Sequence, residues 1–188
     1  METYFNIRYE FDQEAIHTAI AQTVRSDTPA YICAADGNIL ALVQRDRAYW
    51  QVIYESLFSL CDSGWVPLYL RMIHRIRRPQ YCGARIFRDI VSSGRYRMAF
   101  LGTDDATLTD LKTAIARWDP QTQNMPFLSL PFSPVDEFDY SAIADRLNEK
   151  NVDIIWVALG APKQEIFMNR LRPHLNRGLM IGVGAVFN

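Results

Sequence analysis

A lysine, a glutamine and a glutamate follow directly on an apolar run near the carboxyl end of the chain. Residues 159–165 read LGAPKQE and continue the apolar run DIIWVA. Gly160 permits turn geometries that other residues resist, and Pro162 fits the first position of a helix because its missing N–H would have no partner there. The segment therefore predicts a corner between a buried strand and a helix.

Two interpretations of this corner remain open from the residues alone. The first turn of a helix has unpaired N–H groups and a favourable dipole, so Lys163 and Gln164 could help to hold an anion such as a phosphate. The alternative is a plain helix start, in which Glu165 complements the dipole while Lys163 and Gln164 are solvated. Because corners of this kind tend toward the same composition, the two interpretations are about equally favoured.

Three further apolar runs end in small or polar residues. Asp36 follows the first of them, Gly102 ends the second, and Asn188 follows the last. In an open α/β sheet, ligands bind beyond the carboxyl ends of the strands. We therefore expect these corners to converge with residues 159–165 on one edge and to form a pocket there.

The elements that must position these corners are recognisable from periodicity. Four runs are apolar at successive positions, as in strands covered on both faces: 30–35, 96–102, 153–160 and 178–187. Five stretches have helical spacing of apolar residues: Asp12–Val24, Gln44–Leu60, Ala106–Trp118, Tyr140–Lys150 and Pro162–Leu175. Residues 119–139 are typical of a loop with one short edge strand near Phe127–Leu130. The alternation predicts one α/β domain over residues 1–188, with a doubly wound, Rossmann-like, mostly parallel sheet and helices on both faces.

Composition narrows the class of protein. The 188 residues carry a net charge of −1, which gives no reason to expect nucleic-acid binding. The three cysteines are an odd number without CxxC spacing, and this favours reduced thiols in the cytoplasm. No apolar stretch approaches the roughly 20 residues of a spanning helix, and the amino terminus lacks the apolar region of a signal peptide. The three histidines lack metal-ligand spacing, so we expect no metal site.

Two segments, Leu159–Glu165 and Ile181–Phe187, together resemble the WecG/TagA/CpsF family of glycosyltransferases, glycosyltransferase family 26. Members carry an LGxPKQE corner, a helix and then an IGVGxxFD strand, and this chain reads LGAPKQE and IGVGAVF. The resemblance covers most of the chain from about residue 30 onward. It implies the same Rossmann-like fold.

The resemblance also implies site residues, position by position. The family's proposed catalytic base, the aspartate of a PDG motif, matches Asp62 in the sequence CDS. The family's TxN segment matches residues 34–36, its ERxxGxD segment matches residues 79–85, and its LGG corner matches residues 101–103. The substrate-binding residues expected from this match and from the corners are Asp36, Gln80, Gly83, Arg85, Gly102, Gly160, Lys163, Gln164 and Asn188.

The chain departs from the family pattern at several of these positions. The threonine and asparagine of TxN become Ala34 and Asp36, the arginine of ERxxGxD becomes Gln80, and its aspartate becomes Arg85. Asn188 stands where the family has aspartate. We therefore expect a retained scaffold with an altered site, which uses a different sugar or acceptor or has lost efficient catalysis.

The resemblance implies an inverting, metal-independent reaction without a cofactor. Members move an N-acetylhexosamine, typically N-acetylmannosamine or its uronic acid, from a UDP-sugar to a polyprenyl-diphosphate-linked sugar. The reaction needs a base for the acceptor hydroxyl and positive charge for the departing diphosphate. Asp62 is the expected base, with Gln164 and Lys163 at the diphosphate, and Arg85 or an arginine of Arg71–Arg78 adds charge.

Structural alternatives stand beside these roles. Asp62 in SLCDSGW and Asp36 in DGN could each lie in a turn and bond their own backbone. Residues 71–79 hold four arginines around His74 and could form a solvated helix face or approach anionic headgroups or the acceptor's diphosphate. The protein is expected to be cytoplasmic, with possible peripheral contact at the inner face of the membrane.

A first functional hypothesis is a glycosyltransferase of cell-envelope polysaccharide synthesis. The altered positions keep a second open, a catalytically impaired nucleotide-sugar-binding protein or a partner subunit of a polysaccharide assembly complex. A nicotinamide-dependent enzyme is disfavoured because no GxGxxG follows the first strand. Family members usually continue with a basic, aromatic segment thought to dock on the membrane, so we expect weak or no transfer by these 188 residues and, from apolar surface left exposed, a possible homo-oligomer.

Overall fold

The computed structural model describes residues 1–187 and has one eight-stranded sheet. Its strands are β1 (Glu2–Tyr4), β2 (Ile7–Tyr9), β3 (Ala30–Ala35), β4 (Ser59–Cys61), β5 (Met98–Gly102), β6 (Phe127–Leu128), β7 (Ile154–Ala158) and β8 (Leu179–Gly182). The helices are α1 (Gln13–Ser26), α2 (Gly37–Leu42), α3 (Arg47–Tyr54), α4 (Trp65–Ile73), α5 (Gly83–Ser93), α6 (Asp105–Ile115), α7 (Tyr140–Lys150) and α8 (Lys163–Leu171). Short 3₁₀ turns lie at Pro120–Asn124, Val135–Glu137, Arg172–His174 and Gly184–Phe187.

The strand order is β1-β2-β4-β3-β8-β7-β5-β6, and every pair except β1–β2 is parallel. This confirms the predicted Rossmann-like, mostly parallel α/β sheet. Because the strands are parallel, the carboxyl ends of β3, β4, β5, β7 and β8 meet at one edge, which we call the carboxyl rim. The expectation of a single domain over residues 1–188 stays a prediction.

Two apolar layers hold helices against the two faces of the sheet. Ile16 of α1, Ile90 of α5 and Leu108 of α6 pack with Trp156 in one layer. The other layer contains residues of α2, α3, α4, α7 and α8. In this layer the ring of Phe167 packs against those of Phe138 and Tyr140. Helices therefore cover both faces, and this explains why the central strands are apolar at successive positions.

Most of the helices have an aspartate at the N-cap position. In five of them an aspartate side chain accepts a hydrogen bond from the first-turn backbone N–H, which satisfies a donor that has no partner within the helix. These aspartates are Asp12, Asp36, Asp46, Asp104 and Asp139. The predicted cap at Asp12 is confirmed.

Several predicted boundaries are wrong. The helix predicted over Gln44–Leu60 is the shorter α3 followed by strand β4, and the strand predicted over 178–187 ends at Gly182 before a 3₁₀ turn. Pro162 lies at the N-cap of α8 after a cis peptide bond rather than at the first helical position. The edge strand predicted near residue 127 is confirmed beside β5.

Candidate functional site

Asp62 follows β4 at the carboxyl rim and bonds to a distant part of the chain. The backbone N–H of Gly83 donates to its Oδ1 at 2.8 Å, and its own N–H donates to the carbonyl of Ala35 at 3.2 Å. The structural alternative expected Asp62 to bond within its own turn. This alternative is wrong, because the side chain bonds to Gly83 instead. The contact fixes one carboxylate oxygen.

The surroundings of Asp62 favour its protonated form. Burial raises the pKa of Asp62 above its ordinary value, the Gly83 N–H opposes this, and the nearby Asp36 carboxylate adds to the rise. A carboxylate with a raised pKa is a better proton acceptor, which is the property a general base requires. The geometry and the pKa direction are both compatible with the role expected of Asp62.

Asp36 has a structural partner. Its Oδ1 accepts from the N–H of Ile39 at 2.9 Å and so caps α2. This is the local bonding that the turn alternative predicted for Asp36. Asp36 directly follows Ala35, whose carbonyl accepts the N–H of Asp62, so Asp36 remains in the neighbourhood of the site.

Gly83 joins Asp62 to the end of β8. A side-chain carbon placed on Gly83 would lie 3.6 Å from the Cα of Val183 and 3.7 Å from the Cβ of Ala34, which are ordinary contact distances. Ala34 stands where the family has threonine, and here it packs in the core. Gly83 thus places α5 directly against two strand ends of the carboxyl rim.

Gln80 and Arg85 lie near the Asp62 group but have few contacts. Gln80 is exposed, and its Oε1 would be 3.9 Å from a side-chain carbon on Gly64. The guanidinium of Arg85 lies 5.8 Å from the centre of the Tyr81 ring and is also exposed. Both side chains could approach a ligand at the rim.

Gln164 is buried, so the interpretation of it as a solvated residue at a plain helix start is wrong, whereas its contact with an anion stays a prediction. Its Oε1 accepts from the N–H of Gly184 at 3.0 Å, and its Nε2 donates to Oε1 of Glu165 at 2.7 Å. Gly182 makes room for the amide, since a side-chain carbon there would lie 3.0 Å from Nε2. Gln164 therefore fixes the backbone after β8, at the point where Gly83 also packs.

Glu165 is also buried, so it does not complement the helix dipole in solvent. Its Oε2 accepts from the Tyr49 hydroxyl at 3.1 Å. Burial raises the pKa of Glu165 to about 7, against the hydrogen bonds from Gln164 and Tyr49. Glu165 therefore holds Gln164 from the side away from Gly184.

A cleft of about 480 Å³ opens between the ends of β5, β7 and β8. Lys163 lines it, with its Nζ 5.4 Å from the ring centre of Phe132 and 5.0 Å from that of Phe138. Among residues 1–187, no carboxylate oxygen lies within 4.0 Å of this ammonium group. The cleft is lined by Thr103, Asp104, Leu130, Pro131, Phe132, Ala158, Leu159, Gly160, Lys163, Gly184, Ala185 and Phe187.

Gly102 and Gly160 differ in what they do at this rim. A side-chain carbon on Gly102 would lie 2.4 Å from the carbonyl oxygen of Ala158, so glycine allows β5 and β7 to approach each other. Gly160 has φ +75° and open space around it, which suits the turn into α8. The next residue after Gly102, Thr103, has φ 58°, a strained conformation for a β-branched residue that commonly marks a functional position.

The structure thus places the predicted site residues in two groups on one rim. One surrounds Asp62 at the ends of β3 and β4, and the other surrounds Lys163 at the cleft. Gly83, Val183 and Gly184 connect them. Asn188 lies outside the described residues.

Sequence reasoning missed three residues of this rim: Gly184, Tyr49 and Phe132. Gly184 is visible only as part of the IGVG match, whereas Tyr49 lies within the stretch Gln44–Leu60, whose helical spacing indicates no partner for it. Phe132 lay in the predicted loop, where no periodicity marks a lining residue. Only their distances to residues far along the chain identify them.

No group of three or more His, Cys, Asp and Glu residues within 1–187 could hold a metal ion. None of the helices in that part of the chain is long and apolar enough to cross a membrane.

Comparison with known proteins identifies the family to which this rim belongs. The sequence model of the "Glycosyl transferase WecG/TagA/CpsF family" matches residues 4–188. The chain belongs to this family. The match includes Asp62, Gly83 and the LGAPKQE corner, so both groups of the rim lie inside it.

Two curated relatives are enzymes with one name, N-acetylglucosaminyldiphosphoundecaprenol N-acetyl-beta-D-mannosaminyltransferase. The protein of Bacillus subtilis (strain 168) is 23% identical to this chain over 159 residues, and that of Bacillus spizizenii (strain ATCC 23059 / NRRL B-14472 / W23) is 22% identical over 163 residues. Each alignment covers 85% of this chain and 61% of the relative. The chain therefore spans about three fifths of the length of these relatives.

Proposed function

We propose that this chain provides the active site of a glycosyltransferase. It moves an N-acetylhexosamine, such as N-acetylmannosamine, from a UDP-sugar to a polyprenyl-diphosphate-linked sugar in cell-envelope polysaccharide synthesis. The observation that carries the proposal is the meeting, on one rim of a WecG/TagA/CpsF fold, of a base-like carboxylate and an ammonium group that has no carboxylate partner among residues 1–187, beside a cleft.

The cleft suits the diphosphate of the donor. Lys163 supplies a positive charge there, and the amino end of α8 adds the favourable dipole of a helix. Gly160 leaves space for a ligand to approach the backbone at the corner. These groups can stabilise the charge that develops on the departing UDP, and we propose that they do so without a metal ion.

Asp62 serves as the base in the transfer. Its free carboxylate oxygen takes the proton of the acceptor hydroxyl, whose oxygen then bonds to the anomeric carbon of the sugar. The bond between that carbon and the diphosphate breaks, and UDP leaves with the electron pair. Attack from the face opposite UDP inverts the anomeric centre.

The proposed compartment is the cytoplasm, and the thiols and the donor support it. Cys33, Cys61 and Cys82 are free, which is the state typical of a reducing cytoplasm. We place the reaction at the cytoplasmic face of the membrane, where a soluble donor meets a lipid-linked acceptor.

The Lys163→Met variant tests the donor site. A hydrogen bond to a charged group contributes about 1.5–3 kcal/mol, so we expect UDP to bind roughly 10- to 100-fold more weakly to this variant in calorimetric titration. The matched control is Lys150→Met, an exposed lysine in the last turn of α7, which should leave the Kd for UDP unchanged. Equal UDP affinity in the wild type and Lys163→Met would remove Lys163 from the site.

An impaired sugar-binding protein is the second candidate. It is favoured by the exposed Gln80 and Arg85, which stand where the family has arginine and aspartate and form no hydrogen bond with Asp62 among the described residues. The two candidates differ in one result. Both predict that UDP-sugars raise the melting temperature, whereas only the glycosyltransferase transfers the sugar to a lipid-linked acceptor.

A further inference from the structure

Helix α4 exposes an unusual amount of apolar surface. Trp65 is 77% exposed, Met72 69% and Ile73 61%, and five of the nine large apolar side chains found exposed in residues 1–187 lie on this one helix. They border an apolar groove of about 340 Å³. The groove is lined by Phe5, Leu40, Trp65, Val66, Leu68, Tyr69, Met72 and Ile73. Such a patch marks an interaction surface.

The segment that carries this patch has charged side chains of one sign only. Residues 63–88 contain six arginines and no aspartate or glutamate, although the whole chain has a net charge of −1. Arg71, Arg75 and Arg77 are exposed around the end of α4. Arg78 forms an ion pair with Glu2 at 2.7 Å. A partner of this surface must therefore combine apolar groups with negative charge.

We propose that α4 and residues 74–78 bind the surface of an anionic lipid bilayer. A nine-residue helix is too short to span a membrane, but it can lie in the interfacial plane with its apolar side chains among the acyl chains. Tryptophan prefers this interface, and arginines beside it reach the lipid phosphates with their long side chains. The combination matches a bilayer better than a protein groove, which would not need so many exposed arginines.

The position of α4 gives this contact a purpose. The helix begins three residues after Asp62, and the chain returns from the arginine segment to Gly83, which bonds Asp62. Membrane binding would therefore place the base next to the bilayer surface, where an acceptor with its lipid tail in the bilayer presents its sugar. This link to the acceptor rests on the proposed function, whereas the lipid contact does not.

Vesicle co-sedimentation tests the proposal without donor or acceptor, so its failure is distinguishable from failure of the transferase function. We expect the 188-residue chain to sediment with vesicles of phosphatidylglycerol and phosphatidylcholine in equal parts, and not with phosphatidylcholine alone. The triple variant Arg71→Gln, Arg75→Gln, Arg77→Gln should lower the partition coefficient by about 100-fold, and added salt should lower wild-type binding. The triple variant Trp65→Ser, Met72→Ser, Ile73→Ser should lower the partition coefficient by a similar factor.

Matched controls separate this surface from general charge. The charge control replaces three exposed arginines at the ends of α1, α5 and α6, at the opposite edge of the sheet: Arg25, Arg95 and Arg117. Replacing all three by glutamine changes the net charge by the same amount as the α4 triple variant. This control, and Trp118→Ser for the apolar set, should bind vesicles as the wild type does. Thermal melting checks that each variant folds.

Three outcomes would overturn the proposal. They are absence of wild-type binding to anionic vesicles, equal loss in the control set, and unchanged binding in both α4 variants. A wild-type dimer that becomes monomeric in the serine variant, without vesicle binding, would identify a second copy of the chain as the occupant.

Discussion

Replacing Asp62 by asparagine is expected to lower the rate of sugar transfer by about 10²- to 10⁴-fold, the usual contribution of a general base. The amide keeps an oxygen that can accept the N–H of Gly83, which now bonds at 2.8 Å, so the local structure should remain. The measurement is transfer from UDP-N-acetylmannosamine to a short polyprenyl-diphosphate-linked N-acetylglucosamine with the protein in excess. Excess protein makes even slow transfer measurable.

Two comparisons make this result specific. Asp12→Asn carries the same change at a helix cap outside the rim and should leave the rate unchanged. UDP should still raise the melting temperature of Asp62→Asn, because the proposed base would contact the acceptor and not the diphosphate. Transfer at the wild-type rate by Asp62→Asn would exclude this carboxylate as the base.

The transfer rate should depend on pH in the direction that a carboxylate base requires. A base acts when deprotonated, and the pKa of Asp62 is raised by burial and by Asp36. The wild-type rate should therefore fall as the pH drops through this raised value, while the residual rate of Asp62→Asn should lack that limb.

The second large effect concerns stability and comes from Glu165. Its pKa is about 7 in the folded protein, against an ordinary value of 4.5, so the folded state holds a proton that the unfolded chain has lost between these values. Rising pH therefore favours unfolding over this window. We expect the free energy of unfolding to fall by about 3 kcal/mol from this group between pH 4.5 and 8, relative to Glu165→Gln.

Chemical denaturation of wild type and Glu165→Gln across this range measures the difference. Tyr49→Phe provides an internal check, because the Tyr49 hydroxyl donates to Glu165 and favours its charged form. Its loss should raise the pKa of Glu165 in the folded protein further, so the decline in stability should still begin near the ordinary value but extend to higher pH. A pH profile of Glu165→Gln that parallels the wild type would show that this carboxyl group does not carry the effect.

The sequence predicted those parts of the fold that depend on local patterns. The strand at residues 30–35 has the predicted bounds, because an uninterrupted apolar run between turn residues has few other solutions. Strand β4 has only three residues and lay inside a run with helical spacing, so periodicity concealed it. The start of helix α4 was not predicted, because several of its apolar residues face solvent, which reverses the usual pattern. The alternative of a solvated helix over residues 71–79 is wrong, since α4 ends at Ile73.

The site was predictable as a set of corners but not as a set of contacts. The parallel sheet required the strand ends to meet, and Asp62, Gly160 and Lys163 do lie on one rim. The bond between Gly83 and Asp62 joins residues 21 positions apart. Nothing local specifies such a bond, and the burial of Gln164 likewise depends on the packing of Gly182.

The central claim is that UDP occupies the cleft at Lys163 while Asp62 faces the acceptor. A crystal structure of the protein soaked with UDP tests it most directly. We expect the diphosphate within hydrogen-bond distance of the Lys163 ammonium and beside Gly160, with the carboxylate of Asp62 open to the same rim. UDP bound away from this rim, or a diphosphate with no contact to Lys163 or the amino end of α8, would contradict it.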